Sequence, residues 1–179
     1  FKDENIDEIV ELGAGLGRDT IFFAKNKIKV EALDYSRTAI KIIEKKVKDS
    51  NFSKFISTKH FDVRGELPYE NNSIKGVFSH MLYCMALTNA EIKKLNNELL
   101  RILKPGGINI YTVRNINDGD YMRGAYIGED MYENDGFIIN FFSEKKVNSL
   151  LEGFQNLSTT KFEEGKFPRK LFLVQNKKI

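Results

Sequence analysis

The stretch Glu11-Leu12-Gly13-Ala14-Gly15-Leu16-Gly17-Arg18-Asp19 decides how this chain is read. It closes a short strand-like run, Glu8–Leu12 (EIVEL), and opens Asp19–Asn26 (DTIFFAKN), which reads as a helix. Glycines at alternate positions permit positive φ and let a ligand approach the backbone closely. The helix start behind them aims free N–H groups and the positive dipole end at the same place. In a doubly wound sheet such a turn lies at the carboxyl edge of the strands, where ligands bind.

Working outward, strands and helices alternate, which predicts a mostly parallel α/β sheet. Lys29–Leu33 reads as the second strand. Ser36–Ser50 reads as a helix with Ser36 as its N-cap and Ala39, Ile40, Ile43 and Val47 at helical spacing. Lys54–Phe61 and Ile74–Ser79 are the third and fourth strands. Asn89–Leu103 is a helix, stopped by a tight turn at Pro105-Gly106-Gly107, and Ile108–Val113 is the fifth strand. A short helix at Ser143–Leu151 precedes two last strands, Leu157–Glu163 and Leu171–Asn176, paired antiparallel through a turn at Gly165–Pro168. The expected fold is α/β, a doubly wound, mostly parallel seven-stranded sheet with an antiparallel last strand.

Between the fifth strand and the short helix the pattern fails. Asn115–Asn140 is rich in Asn, Asp, Gly, Tyr and Met and has no clear period. It is too long for an ordinary connection, so residues 115–142 are expected to form a lid or acceptor-binding insertion. The length of 179 residues fits one domain, 1–179, carrying that insertion.

Composition narrows the partners. A net charge of +3 makes no electrostatic case for nucleic acid or a membrane surface. The charged run from Lys41 to Asp49 reads as a solvated helix face. Cys84 is the only cysteine, so no internal disulfide can form, which suits a reducing, cytoplasmic setting. No apolar run approaches the ~18 residues of a membrane span. No metal site is expected.

A glycine turn alone does not name the ligand. The spacing here is G-x-G-x-G, whereas dinucleotide folds use G-x-G-x-x-G. Glu11 stands two residues before the first glycine, where a carboxylate suits an ammonium group and would tend to repel a pyrophosphate. Asp34 ends the second strand, where a carboxylate can accept hydrogen bonds from two ribose hydroxyls. That last feature fits S-adenosylmethionine (SAM) and NAD equally.

Glu11–Asp19 resembles motif I of class I SAM-dependent methyltransferases, and Ala32-Leu33-Asp34-Tyr35-Ser36 resembles their second motif. Asp62-Val63, then Leu67-Pro68 and the strand into Ser79-His80, resemble the stretch lining the adenine pocket and acceptor side. Leu103-Lys104-Pro105-Gly106-Gly107 is similar to the family's turn before the fifth strand. Within the family, Gly17–Thr20 looks like the small-molecule enzymes of the tellurite-resistance and thiol type.

The resemblance implies SAM as cofactor and a role for each residue. Gly13, Ala14, Gly15 and Gly17 would pass close to its methionine part and ribose. Glu11 would hold the amino group and Arg18 the carboxylate. Asp34, with Ser36 beside it, would hold the ribose hydroxyls, and Tyr35 would cover ribose or adenine. Asp62 would accept from the adenine amino group, Val63 would pack on the ring, and Ser79 would sit near the sulfonium. A helix ahead of the first strand covers SAM in similar enzymes, and the sequence leaves open whether a segment before Phe1 completes the site.

His80 and Tyr83 are the candidate acid/base residues, needed only if the acceptor must lose a proton. Arg114, Tyr121 and Arg123 in the insertion, and Arg169 after it, are candidates for the acceptor side. The expected reaction is in-line methyl transfer to a small-molecule acceptor. The chain reads Ser79-His80-Met81-Leu82 after the fourth strand, without the Asn/Asp-Pro-Pro-Tyr/Phe signature of adenine methylases. An NAD-dependent oxidoreductase and a non-catalytic SAM-binding module stay open as alternatives at this point.

Overall fold

A computed structural model describes residues 1–166 and 169–179. In chain order the elements are β1 (Glu8–Leu12), α1 (Arg18–Lys25), β2 (Lys29–Asp34), α2 (Arg37–Lys48), β3 (Ile56–His60) and β4 (Ile74–His80). Next come α3 (Asn89–Ile102), β5 (Leu103–Arg114), β6 (Ala125–Gly128), β7 (Met131–Asn134), β8 (Phe137–Asn140), α4 (Glu144–Asn148), β9 (Phe154–Glu164) and β10 (Arg169–Lys178). The main sheet has seven strands in the order β3-β2-β1-β4-β5-β10-β9. Neighbours from β3 to β5 pair parallel, and β10 runs antiparallel to both β5 and β9. The expected sheet and its antiparallel last strand are therefore present. The turn expected at Gly165–Pro168 runs into Phe167 and Pro168, which lie outside the described residues.

Alternation along the strands builds two apolar layers. Ile9, Val30, Ala32 and Ile108 pack with Phe23 and Ala24 of α1 and Ile43 of α2. Val10, Leu12, Leu33, Tyr111 and Val113 pack on the other side with Ile92, Leu95 and Leu99 of α3 and Val147 of α4. Each fully buried side chain of this kind contributes roughly 1.5–3 kcal/mol. Both long helices start on side-chain caps. Ser36 Oγ accepts from Ala39 N at 3.2 Å, and Thr88 and Glu91 form a reciprocal capping box.

One expectation needs correction. β5 begins directly after α3, so Pro105-Gly106-Gly107 lies within the strand. Its register with β4 jumps from Ile74↔Leu103 to Gly76↔Ile108. The four residues 104–107 are absorbed as a bulge, with Gly106 at φ 76°.

The aperiodic insertion is structured. It folds as a three-stranded antiparallel sheet, β6-β7-β8. Glu129 and Asp130 (φ 55° and 62°) link β6 to β7, and Asp135 and Gly136 (φ 50° and 83°) link β7 to β8. Two central residues at positive φ make the tight turns that match strand twist, and Asp-Gly is a strong hairpin signal. Tyr121 packs edge-on to Tyr132 and to Phe141, each at 5.4 Å, forming a small aromatic core of the insertion.

Candidate cofactor and acceptor site

The strand order reverses between β1 and β4, and the glycine turn stands there at the carboxyl edge. Gly13, Gly15 and Gly17 all have positive φ (71°, 53° and 78°). A Cβ on Gly13 would lie 2.9 Å from Leu82 Cδ1, and one on Gly17 2.8 Å from Ile43 Cγ1. At Gly15 a Cβ would project into open space, so its φ alone calls for glycine.

Asp34 shapes this turn. Its Oδ2 accepts from Gly15 N and its Oδ1 from Ser36 N, both at 2.8 Å. The carboxylate is nearly buried. Two of its roughly four lone-pair positions are in use, and the others are free for further donors. A cavity of about 250 Å³ opens beside it, lined by Gly13, Asp34, Tyr35, Phe61, Asp62 and Val63 on one side. A buried carboxylate, a backbone turn open at Gly15 and the apolar wall of Phe61 and Val63 fit a ribose carrying a flat base. A second cavity, of about 230 Å³, lies at the opposite sheet edge around Glu8, Ile74 and Lys104. Of the motif residues only Lys104 lines it.

The structure brings only some of the expected residues to the cavity. Ala14 is buried in the α1 layer. Glu11 is buried beneath the turn, where Thr20 Oγ1 donates to its Oε2 at 2.5 Å. Burial pushes its carboxyl pKa up to about 8. Arg18 is exposed and engaged by carboxylates, with Nε 3.1 Å from Asp19 Oδ1 and Nη1 2.5 Å from Glu164 Oε1. Ser36 Oγ is occupied as the α2 cap. Asp62 is half-exposed and bonded to Arg64, whose backbone N donates to its Oδ1 at 3.0 Å. Ser79 is buried within β4, between Leu12 and Tyr111 in register.

His80 ends β4 outside that cavity, in a small polar network. Met81 N donates to Thr112 Oγ1 at 3.0 Å, which leaves the Thr112 hydroxyl proton free for His80 Nδ1, 2.9 Å away. That arrangement puts the neutral ring's proton on Nε2. Nε2 lies 3.1 Å from Glu164 Oε2 but out of hydrogen-bond alignment. Burial lowers the His80 pKa below the usual imidazole value, with the Glu164 carboxylate pulling the other way. Glu164, from β9, thus touches both His80 and Arg18. Glu164 was not singled out in the sequence, since the residues it meets are 84 and 146 positions away.

Of the five other candidates, three are packed or paired within the fold and two are exposed. Tyr83 sits on a 3-10 turn, Leu82–Cys84, that sends its ring inward. It packs on Tyr111 at 5.0 Å, and its buried hydroxyl has no partner among the described residues. Burial raises its pKa above the usual phenol value. Arg114 is buried against Asp118 and Asp120, with its guanidinium 5.2 Å from the Phe141 ring centroid. Burial opposes the Asp118 charge, but the bonds from Arg114 and from the amides of Asp120 and Lys170 outweigh it and hold that pKa low. Arg114 therefore fastens the insertion to the end of β5, and Tyr121 belongs to the insertion's aromatic core. Arg123 is exposed, its nearest carboxylate contact Asp120 at 3.9 Å. Arg169 is exposed at the start of β10, across from Glu164 in register.

Comparison with known proteins agrees with this geometry. The family described as "Methyltransferase domain" matches residues 9–107. The chain belongs to that family, the class I SAM-dependent methyltransferases, and SAM is the family's cofactor. Membership replaces the NAD-dependent alternative. The chain is 40% identical over 100 residues to phosphoethanolamine N-methyltransferase 1 of Triticum aestivum, a stretch covering 55% of this chain and 20% of that protein. In fold it is similar to a SAM-dependent methyltransferase of Methanosarcina mazei (TM-score 0.85, 20% identity, 97% of this chain and 92% of that one). It is also similar to the 1,6-didemethyltoxoflavin-N1-methyltransferase of Burkholderia thailandensis, solved with its substrate and S-adenosylhomocysteine (SAH) (TM-score 0.76, 16% identity, 96% and 70%). No helix among the described residues is long and apolar enough to cross a membrane.

Proposed function

We propose that this chain transfers the methyl group of SAM to a small polar acceptor, with a nitrogen as the attacking atom. The observation that carries the reading is the buried Asp34 carboxylate, fixed by two backbone donors at the wall of the cavity beside the glycine turn. The nitrogen acceptor is supported by the name of the wheat relative, of which only a fifth is matched. It takes the place of the tellurite-resistance and thiol type that Gly17–Thr20 resembles.

SAM supplies a methyl group on a sulfonium that is already a good leaving group. What is left to the protein is alignment and desolvation of the acceptor. An amine must lose a proton to attack or after attack. In this reading His80 takes it on Nδ1, with the Thr112 hydroxyl turning its proton away to accept from that nitrogen instead, and burial keeps the ring neutral beforehand. Glu164 beside Nε2 would stabilise the resulting imidazolium.

The test is calorimetric titration with SAM, SAH and NADH, followed by SAH-release assays with phosphoethanolamine, other small amines, thiols and chalcogen oxyanions. Micromolar SAM and SAH binding, no NADH binding and turnover with an amine is the expected result. SAM binding without turnover on any acceptor would favour a non-catalytic module. NADH binding with neither SAM nor SAH would end the reading.

A further inference from the structure

The β7–β8 hairpin lies at the cofactor cavity. Gly136, Phe137 and Ile138 line the same space as Asp34, Tyr35 and Val63. The residues of the polar network, His80, Thr112 and Glu164, do not line it. We propose that the hairpin tip is the outer wall of the adenine subsite, with Phe137 as the residue that covers the purine, and that the insertion serves the cofactor here rather than the acceptor. This rests on the reading that Asp34 and the glycine turn hold SAM.

Three observations carry it. Exposed apolar side chains converge on one place: Tyr35 is 70%, Met85 50% and Phe137 74% exposed, and all three line this cavity. Large apolar groups left in water around one opening are what a flat aromatic ligand would cover. The tip itself is stiff. Asp135 and Gly136 make a two-residue turn, and Gly136 N donates to Glu133 Oε1 at 2.7 Å. Its root is tied to the main body as well. Asn140 Nδ2 donates to Leu87 O at 2.8 Å, Asn89 N donates to Glu129 Oε2 at 2.6 Å, and Lys146 Nζ bonds both Asn140 Oδ1 and Glu129 O at 2.7 Å. Phe137 is thereby held over the cavity before any ligand arrives, so little ordering entropy is lost on binding.

The experiment compares wild type, Phe137→Ala and Phe137→Leu by calorimetry with SAH and with adenosine, and follows amide exchange of residues 133–140 with and without SAH. Phe137 is largely exposed, so both variants are expected to fold, which a thermal melt confirms. Phe137→Ala should weaken SAH and adenosine by the same factor, roughly 10-fold, and Phe137→Leu by less. SAH should slow exchange at the hairpin tip in the wild type. Unchanged SAH and adenosine affinities in Phe137→Ala, with no change in hairpin exchange, would overturn the proposal and leave the cofactor reading standing. A wild type that binds neither ligand would overturn both.

Discussion

Asp34→Asn tests the central residue with the smallest change of shape. The carboxylate accepts two backbone bonds of 2.8 Å, from Gly15 and Ser36. Asparagine keeps one acceptor oxygen and presents an amide NH₂ to the second donor. One charge-assisted bond is lost and a nearly buried N–H is left facing another donor, at a cost of about 2 kcal/mol. For a chain of this size that is a fall in Tm of roughly 4–8 °C. The ligand effect is separate. Two ribose hydroxyls that donate to a carboxylate would donate to a neutral amide with one acceptor atom, so SAH affinity should fall about 100-fold, or ~2.7 kcal/mol. Differential scanning fluorimetry gives the first quantity and calorimetry the second. A variant that melts with the wild type would refute the account of the turn. One that melts lower but binds SAH as tightly would refute the ribose assignment alone.

Glu11→Gln tests the buried carboxyl. Its folded pKa of about 8 lies above the ordinary 4.5, so its contribution to stability is fully present below pH 4.5 and is lost as pH rises through 8. Glutamine stays neutral, so denaturant titrations should find the variant close to wild type at pH 5 and clearly more stable than it at pH 9. Tyr83→Phe removes a buried hydroxyl without a partner. Stability should be unchanged or rise by up to ~1 kcal/mol and turnover should be unaffected; a large loss of kcat would restore Tyr83 as a catalytic residue. Arg114→Ala strands the Asp118 carboxylate in a buried site, which should cost about 3–5 kcal/mol and speed proteolysis of residues 115–142; an unchanged melt would refute its anchoring role. Burial pushes the Cys84 thiol up to about 12, so alkylation of the folded chain at pH 8 should be slow and become fast in denaturant.

Much of the fold was legible because its signals are local. The glycine turn, the Ser36 cap, the 3.6-residue spacing of Ala39, Ile40, Ile43 and Val47, and the strand runs each depend on neighbours a few residues away. The second hairpin carried a local signal, Asp135-Gly136, that the reading of 115–140 as aperiodic passed over. The spacing of the turn at 13–17 and of Asp34 in one βαβ unit suits SAM and NAD alike, and the class of cofactor was legible through the resemblance of the motifs at 11–19, 32–36, 62–63 and 103–107 taken together.

The assignment of side chains to the site was decided by tertiary structure alone. Tyr83 and Leu82 are adjacent, yet a single turn sends Leu82 against Gly13 and Tyr83 into the core. Glu164 meets His80 and Arg18 across 84 and 146 residues of chain, respectively, because β10 and β9 extend the sheet beyond β5 and bring that strand end back over the carboxyl edge. Arg114 turned inward because Asp118 and Asp120 neutralise it where water is excluded. Phe137 came to the cavity beside Asp34 because Asn140 and Glu129 tie the insertion to the segment Leu87–Asn89. Periodicity carries which residues face inward. Strand order and register, set by contacts distant in sequence, determine which of them face one another.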